Sequence, residues 1–291
     1  FSDIMISYKP DLVHVINGSL RSNMVIREYL IKNKIPFITT ESLVDTALDI
    51  DEPKLRRIRE INKKTPCVIY VSKDSKKVAF DFFGIDCPNP QVIYNAPLPN
   101  ICKKEIYNDK PYRFFTTARC SYQKGIDIMI KALAEVTERK VILDIYGDGE
   151  NRFEYEKLAA ELIGDRHCFR ILGWQKDMDY KMITNNYDLF LSASRSEGLS
   201  YSSLEAASLG IPMICSRAPG NTELIDLCHC GLLFHVEDYM ELASIITNFL
   251  RNPKHLSTMA INGKVSFDRI FDVNKNMKEL LRQYQIIANS I

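Results

Sequence analysis

Short β-branched runs alternate with helix-length amphipathic stretches along almost all of this 291-residue chain, and that alternation admits few folds. A strand that returns parallel to its neighbour needs a crossover of a dozen or more residues, usually a helix. Repeated strand–helix units therefore build parallel sheets with helices on their faces, and the expected class is α/β. In the first third, strands are expected at 11–16, 36–40, 67–72 and 91–94, with helices at 22–33 and 75–83. The segment 95–100 then carries Pro97 and Pro99, which cannot continue a ladder or a helix.

The second part repeats the alternation. Strands are expected at 112–117, 141–146, 168–172, 189–192, 213–216 and 231–235, and helices near 125–138, 151–163, 178–185, 202–209, 221–227 and 239–251. Gly210 and Pro212 close the helix at 202–209 in the order of a C-terminal stop. In the tail, Met277, Leu280, Leu281, Tyr284 and Ile287 recur at helical spacing, so a last helix should pack one face back on the body. At roughly 150 residues per domain the chain holds about two domains. The expected division is 1–106, 107–274 and a C-terminal helix at 275–291.

Composition narrows the function classes. With 38 basic and 37 acidic side chains and 46% hydrophobic residues, the chain has the balance of a folded globular protein and lacks the basic excess of a nucleic-acid binder. No run approaches the roughly 20 apolar residues of a spanning helix. The eight cysteines form no CxxC pair, which points to reduced thiols and a cytoplasmic compartment. Cys228, His229 and Cys230 make the one tempting cluster, but no second pair completes four ligands, so no metal is expected. The segment 54–64 sets Lys54, Arg56, Arg57, Arg59, Lys63 and Lys64 around an apolar line of Leu55, Ile58 and Ile61. Such a helix is either a solvated surface helix or a peripheral contact with an anionic inner membrane face.

Three strand-to-helix loops could carry chemistry. Between 192 and 210 the chain leaves a strand, passes Gly198 and opens a helix, so free backbone N–H groups face the C-terminal edge of the sheet and suit a phosphate. Glu197 lies in this loop and Glu205 inside the helix. Each carboxylate could accept from a sugar or ribose diol, or could be a helix cap and a surface residue. Between 116 and 127, Arg119 and Lys124 bracket a second such loop, where two cations could hold a diphosphate or simply be solvated. A third loop, at 147–150, reads GxGxxR rather than GxGxxG, which disfavours a nicotinamide enzyme. Neither a GxSxG elbow nor a P-loop is present.

The ordered motifs ARCSYQKGID, LDIYGDGE, ILGW, SRSEGLSYSSLEA, GIPMICS, and GNTELI followed by GLLF resemble the donor domain of retaining GT-B glycosyltransferases of family 4. The resemblance spans 112–275, and its most specific part is the E-x7-E pair from Glu197 to Glu205. It implies two Rossmann-like parallel-sheet domains with a nucleotide-diphosphate sugar, a UDP- or GDP-sugar, bound in the cleft between them. No further cofactor or metal is implied. Carried over by position, Arg119 and Lys124 bind the diphosphate, and Gly198, Leu199 and Ser200 offer the helix start to it. Glu205 holds the ribose, and Glu197 contacts the transferred sugar. Gly173, Trp174 and Gln175 lie against the base, and Gly147 with Asp148 lines the nucleotide pocket.

The first 105 residues resemble the later half of an acceptor domain, through KPDLVHVIN and IPFITTES. Two positions depart from the family pattern. Ile16 stands where many relatives have a second His, and Ser42 stands where a His lies near the donor sugar. This domain is short, and the chain opens on Phe1 rather than Met, which reads as a truncated N-terminal half. The resemblance implies a hexosyltransferase that passes its sugar to a glycan or lipid-linked acceptor in polysaccharide biosynthesis. The alternative is a glycosyltransferase-like nucleotide-binding or scaffold module without turnover. The sequence does not indicate an oligomeric state.

Overall fold

Two all-parallel sheets carry the described residues of the computed structural model, 1–46, 48–97, 111–176 and 180–289. The chain divides into two units. One comprises 1–96, 197–199 and 272–291, the other 97–196 and 200–271. The domain boundary expected at 106/107 falls outside the described residues, as does the expected start of a helix at 178.

In the first unit the order along the chain is α1 (Ser2–Tyr8), β1 (Val13–Asn17), α2 (Met24–Lys32), β2 (Phe37–Glu41), α3 (Glu52–Lys63), β3 (Cys67–Tyr70), α4 (Lys73–Lys77) and β4 (Pro90–Val92). The four strands pair in sequence order, β1-β2-β3-β4. Helix α3 starts at a well-built cap: the Asp51 side chain accepts from the Lys54 N–H at 2.8 Å, and proline occupies the first turn, where a missing N–H costs nothing. Its apolar line Leu55, Ile58 and Ile61 packs with Leu20, Met24, Val68 and Tyr70. Strand β3 alternates, so Cys67 and Ile69 point the other way, to a cluster with Ile38, Leu280, Tyr284 and Ile287. Three of those come from the last helix, α12 (Val273–Ala288). The sheet is thus covered on both faces, as parallel sheets require. A fully buried pair, Arg27 Nη1 to Glu41 Oε1 at 3.3 Å, ties α2 to the end of β2, and Asn17 Nδ2 donates to the same oxygen at 2.8 Å.

The second unit runs β5 (Tyr112–Thr117), α5 (Ile126–Glu135), β6 (Val141–Tyr146), α6 (Arg152–Leu162), β7 (Cys168–Gly173), α7 (Tyr180–Asn186), β8 (Leu189–Ser192), α8 (Tyr201–Ser208), β9 (Met213–Ser216), α9 (Pro219–Cys228), β10 (Gly231–Phe234), α10 (Tyr239–Arg251) and α11 (Pro253–Ile270). Its sheet has the order β10-β9-β8-β5-β6-β7. Strands β5, β6 and β7 step outward in one direction, and β8, β9 and β10 in the other. This is the doubly wound arrangement whose direction reverses between β5 and β8. Phe114, Leu143, Leu189 and Ile214 from the sheet and Ile130, Leu133, Ile246 and Phe249 from the helices share one core.

Three elements depart from the sequence reading. The helix expected at 75–83 is a short α4 that widens into a π turn over Val78–Phe82, with the Phe83 N–H donating five residues back to Val78 O at 3.2 Å. Helices α1 and α11 carry no clear periodic signal. In α11, Gly263 interrupts the pattern because Cys230 lies where its Cβ would stand. Packing overrides the propensity penalty there. Among the described residues no helix is long and apolar enough to cross a membrane.

Candidate functional site

Because every strand of the second sheet is parallel, all the loops that follow them leave from one edge. The point of reversal singles out two, 118–125 after β5 and 193–200 after β8. In a doubly wound sheet this is where the strand order leaves room for a ligand. The same two loops hold the sequence-predicted cations and Glu197, and the second leads into the helix that carries Glu205.

Arg119 is exposed, and Lys124 ends a short 3₁₀ turn, Tyr122–Lys124, where it is half-buried. The turn closes through Gly125 at φ 63°, a left-handed conformation that suits glycine. A Cβ there would also collide with the Ala193 carbonyl, so this glycine lets the two loops approach. Hydrogen bonds join them. Arg195 N–H donates to Gln123 O at 2.8 Å, and Gln123 Nε2 donates to Ser196 O at 2.9 Å.

The loop after β8 then runs through Glu197, which is 7% exposed, and Leu199, 5% exposed, to the cap of α8. Ser200 is that cap, its hydroxyl accepting from the Ser203 N–H at 3.4 Å. Serine at this position satisfies one of the first N–H groups of the helix and leaves the rest directed at the sheet edge. Glu205 lies in the second turn of α8 and is half-buried. A second polar layer sits behind. Ser203 Oγ donates to Asn221 Oδ1 at 3.0 Å, and Asn221 Nδ2 donates to Ser192 Oγ at 3.3 Å, which fixes α8 to α9 and the end of β8.

The loop after β6 zips onto the loop after β5. Ala118 N–H donates to Tyr146 O at 3.1 Å, Cys120 N–H to Asp148 O at 2.9 Å and Asn151 N–H to Cys120 O at 2.9 Å. Side chains at Gly147 or Gly149 would run into the carbonyls of Ala118 and Cys120. Gly147 also bridges to Gly173, so the loops after β5, β6 and β7 form a continuous edge. Asp148 is held by the Gly149 N–H at 2.8 Å and by Arg152 Nη1 at 3.1 Å, and these contacts keep its carboxyl below the usual range. Trp174 is 72% exposed and Gln175 is exposed beside it.

The sequence reading missed one residue here. Arg195 sits between the two switch-point loops with a bidentate ion pair to Asp127, both bonds at 2.9 Å, and a second ion pair to Glu237. Burial pushes the Asp127 carboxyl up, but the Arg195 hydrogen bonds and the charge of Lys131 bring it below its ordinary value. An Arg two residues before a candidate carboxylate was the available signal.

Two other candidates lie elsewhere. The apolar line of the basic segment at 54–64 is spent on the core, and Lys54, Arg56, Arg57, Arg59 and Lys63 make surface pairs, the tightest being Arg57 with Glu28 at 2.5 and 2.6 Å. Charge alone is left for meeting an anionic surface. Cys228 and Cys230 are both buried, and Cys230 Sγ contacts Met213 Sδ at 3.5 Å. Among the described residues no group of three or more His, Cys, Asp or Glu is arranged to hold a metal ion.

Comparison with known proteins gives this edge a context. Residues 99–266, more than half of the chain, match the family model described as glycosyl transferases group 1. The UDP-N-acetylglucosamine–peptide N-acetylglucosaminyltransferase GtfA subunit of Streptococcus pneumoniae is 30% identical over 142 residues, which cover 46% of this chain and 27% of that one. The O-antigen biosynthesis glycosyltransferase WclY of Escherichia coli is 30% identical over 170 residues, 58% of this chain and 44% of its own. The matches thus span less than half the length of these relatives. In fold, the chain superposes on Anabaena HepE in complex with UDP with a TM-score of 0.82 at 21% identity, covering 98% of this chain and 81% of that one.

Proposed function

Because the chain belongs to the glycosyl transferases group 1, we propose that it moves a sugar from a UDP-sugar to a hydroxyl of a glycan or lipid-linked acceptor. The observation that carries this reading is the joining of the Lys124 turn to Arg195 and Ser196, after β8, at the switch point of a doubly wound sheet. Relatives and neighbours named for UDP-N-acetylglucosamine and UDP support the choice of nucleotide. The O-antigen relative supports a place in polysaccharide biosynthesis.

In this reading Arg119 and Lys124 bind the diphosphate, and the N–H groups of Gly198 and Leu199 add to them at the start of α8. Charge-assisted bonds of this kind stabilise the negative charge that grows on the departing diphosphate. Glu205 accepts from the ribose hydroxyls and Glu197 from the transferred sugar. Gly147 and Asp148 line the nucleotide, with Gly173, Trp174 and Gln175 against the base. The reaction follows the retaining course of family 4. The acceptor oxygen bonds to the anomeric carbon on the face from which the diphosphate leaves, the carbon–oxygen bond to the diphosphate breaks, and the acceptor proton passes to the leaving phosphate oxygen. That route needs no protein base.

Calorimetry with UDP, GDP and ADP, followed by turnover of UDP-N-acetylglucosamine and UDP-glucose against glycan acceptors, tests the reading. UDP binding together with transfer is the expected result, and absence of binding to all three nucleotides refutes it. Ser42, at the position where relatives place a His, favours a second reading as a nucleotide-binding module without turnover. UDP binding with neither transfer nor donor hydrolysis would select that one.

A further inference from the structure

Arg195 is two residues from Glu197, and its side chain is 11% exposed. An arginine head has five N–H donors in a fixed fork, and here all five are engaged. Nη1 donates to Tyr122 O at 2.5 Å and to Asp127 Oδ1 at 2.9 Å. Nη2 donates to Asp127 Oδ2 at 2.9 Å and to Glu237 Oε2 at 3.1 Å, and Nε to Glu237 Oε1. The guanidinium also lies over the Tyr122 ring, 3.7 Å from its centroid. No donor is left for a phosphate, and two carboxylates flank the charge, so this arginine is not itself an anion ligand.

What it does instead is join separate segments. Tyr122 belongs to the turn after β5, Asp127 to the first turn of α5 and Glu237 to the stretch after β10. Glu237 stands at φ 69°, a left-handed conformation rarely taken by residues other than glycine, Asn or Asp and usually kept where the surroundings impose it. Its carboxylate meets the guanidinium edge that Asp127 leaves open. Together with the backbone bond from Arg195 to Gln123, the network fixes the chain just ahead of Glu197 against the turn that ends in Lys124.

We propose that Arg195 is a positioning residue, holding the segment that leads from β8 toward α8 in register with the turn that carries Lys124, so that Lys124 and the start of α8 are in place before the donor arrives. This rests on the donor-site reading above. A lysine in its place would keep the charge but could not reach three acceptors in one plane.

The test uses UDP as probe, with calorimetry and urea unfolding on the wild type, Arg195→Ala, Arg195→Lys, Glu237→Gln, Lys124→Ala and the Arg195→Ala/Lys124→Ala double variant. Arg195→Ala should weaken UDP binding by about tenfold to a hundredfold, the range expected when ligating groups shift by about an ångström. Arg195→Lys should lose nearly as much, which separates the fork geometry from the charge, and Glu237→Gln should fall between these and the wild type. In the Lys124→Ala background the effect of Arg195→Ala should shrink, because the arginine acts partly through Lys124. Full additivity, wild-type affinity in Arg195→Ala, or complete rescue by lysine would each overturn the proposal while leaving the donor site standing, provided the wild type binds UDP. A wild type that does not bind UDP overturns both. If the urea curves show Arg195→Ala unfolded, Glu237→Gln decides. It alters one half-exposed partner and keeps its shape, and unchanged affinity in it refutes the assignment.

Discussion

At the scale of single residues, the donor reading makes unequal demands on its two cations. Lys124 is half-buried at the end of its turn, so Lys124→Ala should lose about 1.5–3 kcal/mol of UDP affinity by calorimetry, the size of a hydrogen bond to a charged group. Unchanged affinity would remove it from the site. His167 sets a pH dependence. Its Nδ1 accepts from the Val141 N–H at 3.1 Å, which leaves Nε2, 2.9 Å from Val136 O, to carry the proton. A second proton would destroy the acceptor, and burial holds this imidazole below its usual 6.5, as burial also does for His14. The unfolded chain therefore takes up protons as pH falls through 6.5 before the native rings do, so their contribution is present above that value and is progressively lost below it. Urea midpoints should be lower at about pH 5.5 than at about pH 7.5, and His167→Gln should remove part of the difference. The loops holding Arg119, Lys124 and Glu197, and the helix start that leads to Glu205, were legible in the sequence because a strand, a glycine and a helix start in that order is a local signal. Arg195 was not, since its partners lie 42 to 73 residues away.

At the scale of elements, the strands of the second sheet were read nearly to the residue, because most of them are short apolar runs bounded by polar residues, glycine or proline that need no partner to be recognised. Helices whose periodicity is broken were not. Gly263 interrupts α11 to admit Cys230, and the π turn after α4 shifts the apolar positions by one. Helix α3 shows the reverse case, a pattern legible but open to two readings. Its apolar line is buried, with Ile58 fully so, and Ile58→Ala should cost about 2–5 kcal/mol in urea unfolding. Arg56→Ala, on the exposed face, should stay within about 0.5 kcal/mol. A small loss at Ile58 would mean that this line does not serve the core. With that line buried, any pelleting of the protein with anionic liposomes should vanish as salt is raised, because charge without an inserting face is screened.

At the scale of the whole molecule, the cysteines among the described residues are free thiols, most of them buried. Burial pushes Cys67 and Cys87 up to about 12 and Cys120 up to about 11, so their thiolates are scarce at neutral pH. Cys168 is half-buried on the edge strand β7. A thiol-specific reagent followed by peptide mass spectrometry should label Cys168 first among the described cysteines. Early labelling of Cys67 would show that the first unit opens readily, and early labelling of Cys120 that the second does. The zipped edge built by Ala118, Cys120 and Asn151 has a wider consequence. Loops usually exchange their amide hydrogens within moments, whereas these amides are tied to carbonyls of a neighbouring segment and should exchange as slowly as those of a strand. A ligand arriving at such an edge finds it already ordered. Less of its interaction energy is consumed in freezing backbone motion, and more remains to tell one nucleotide from another.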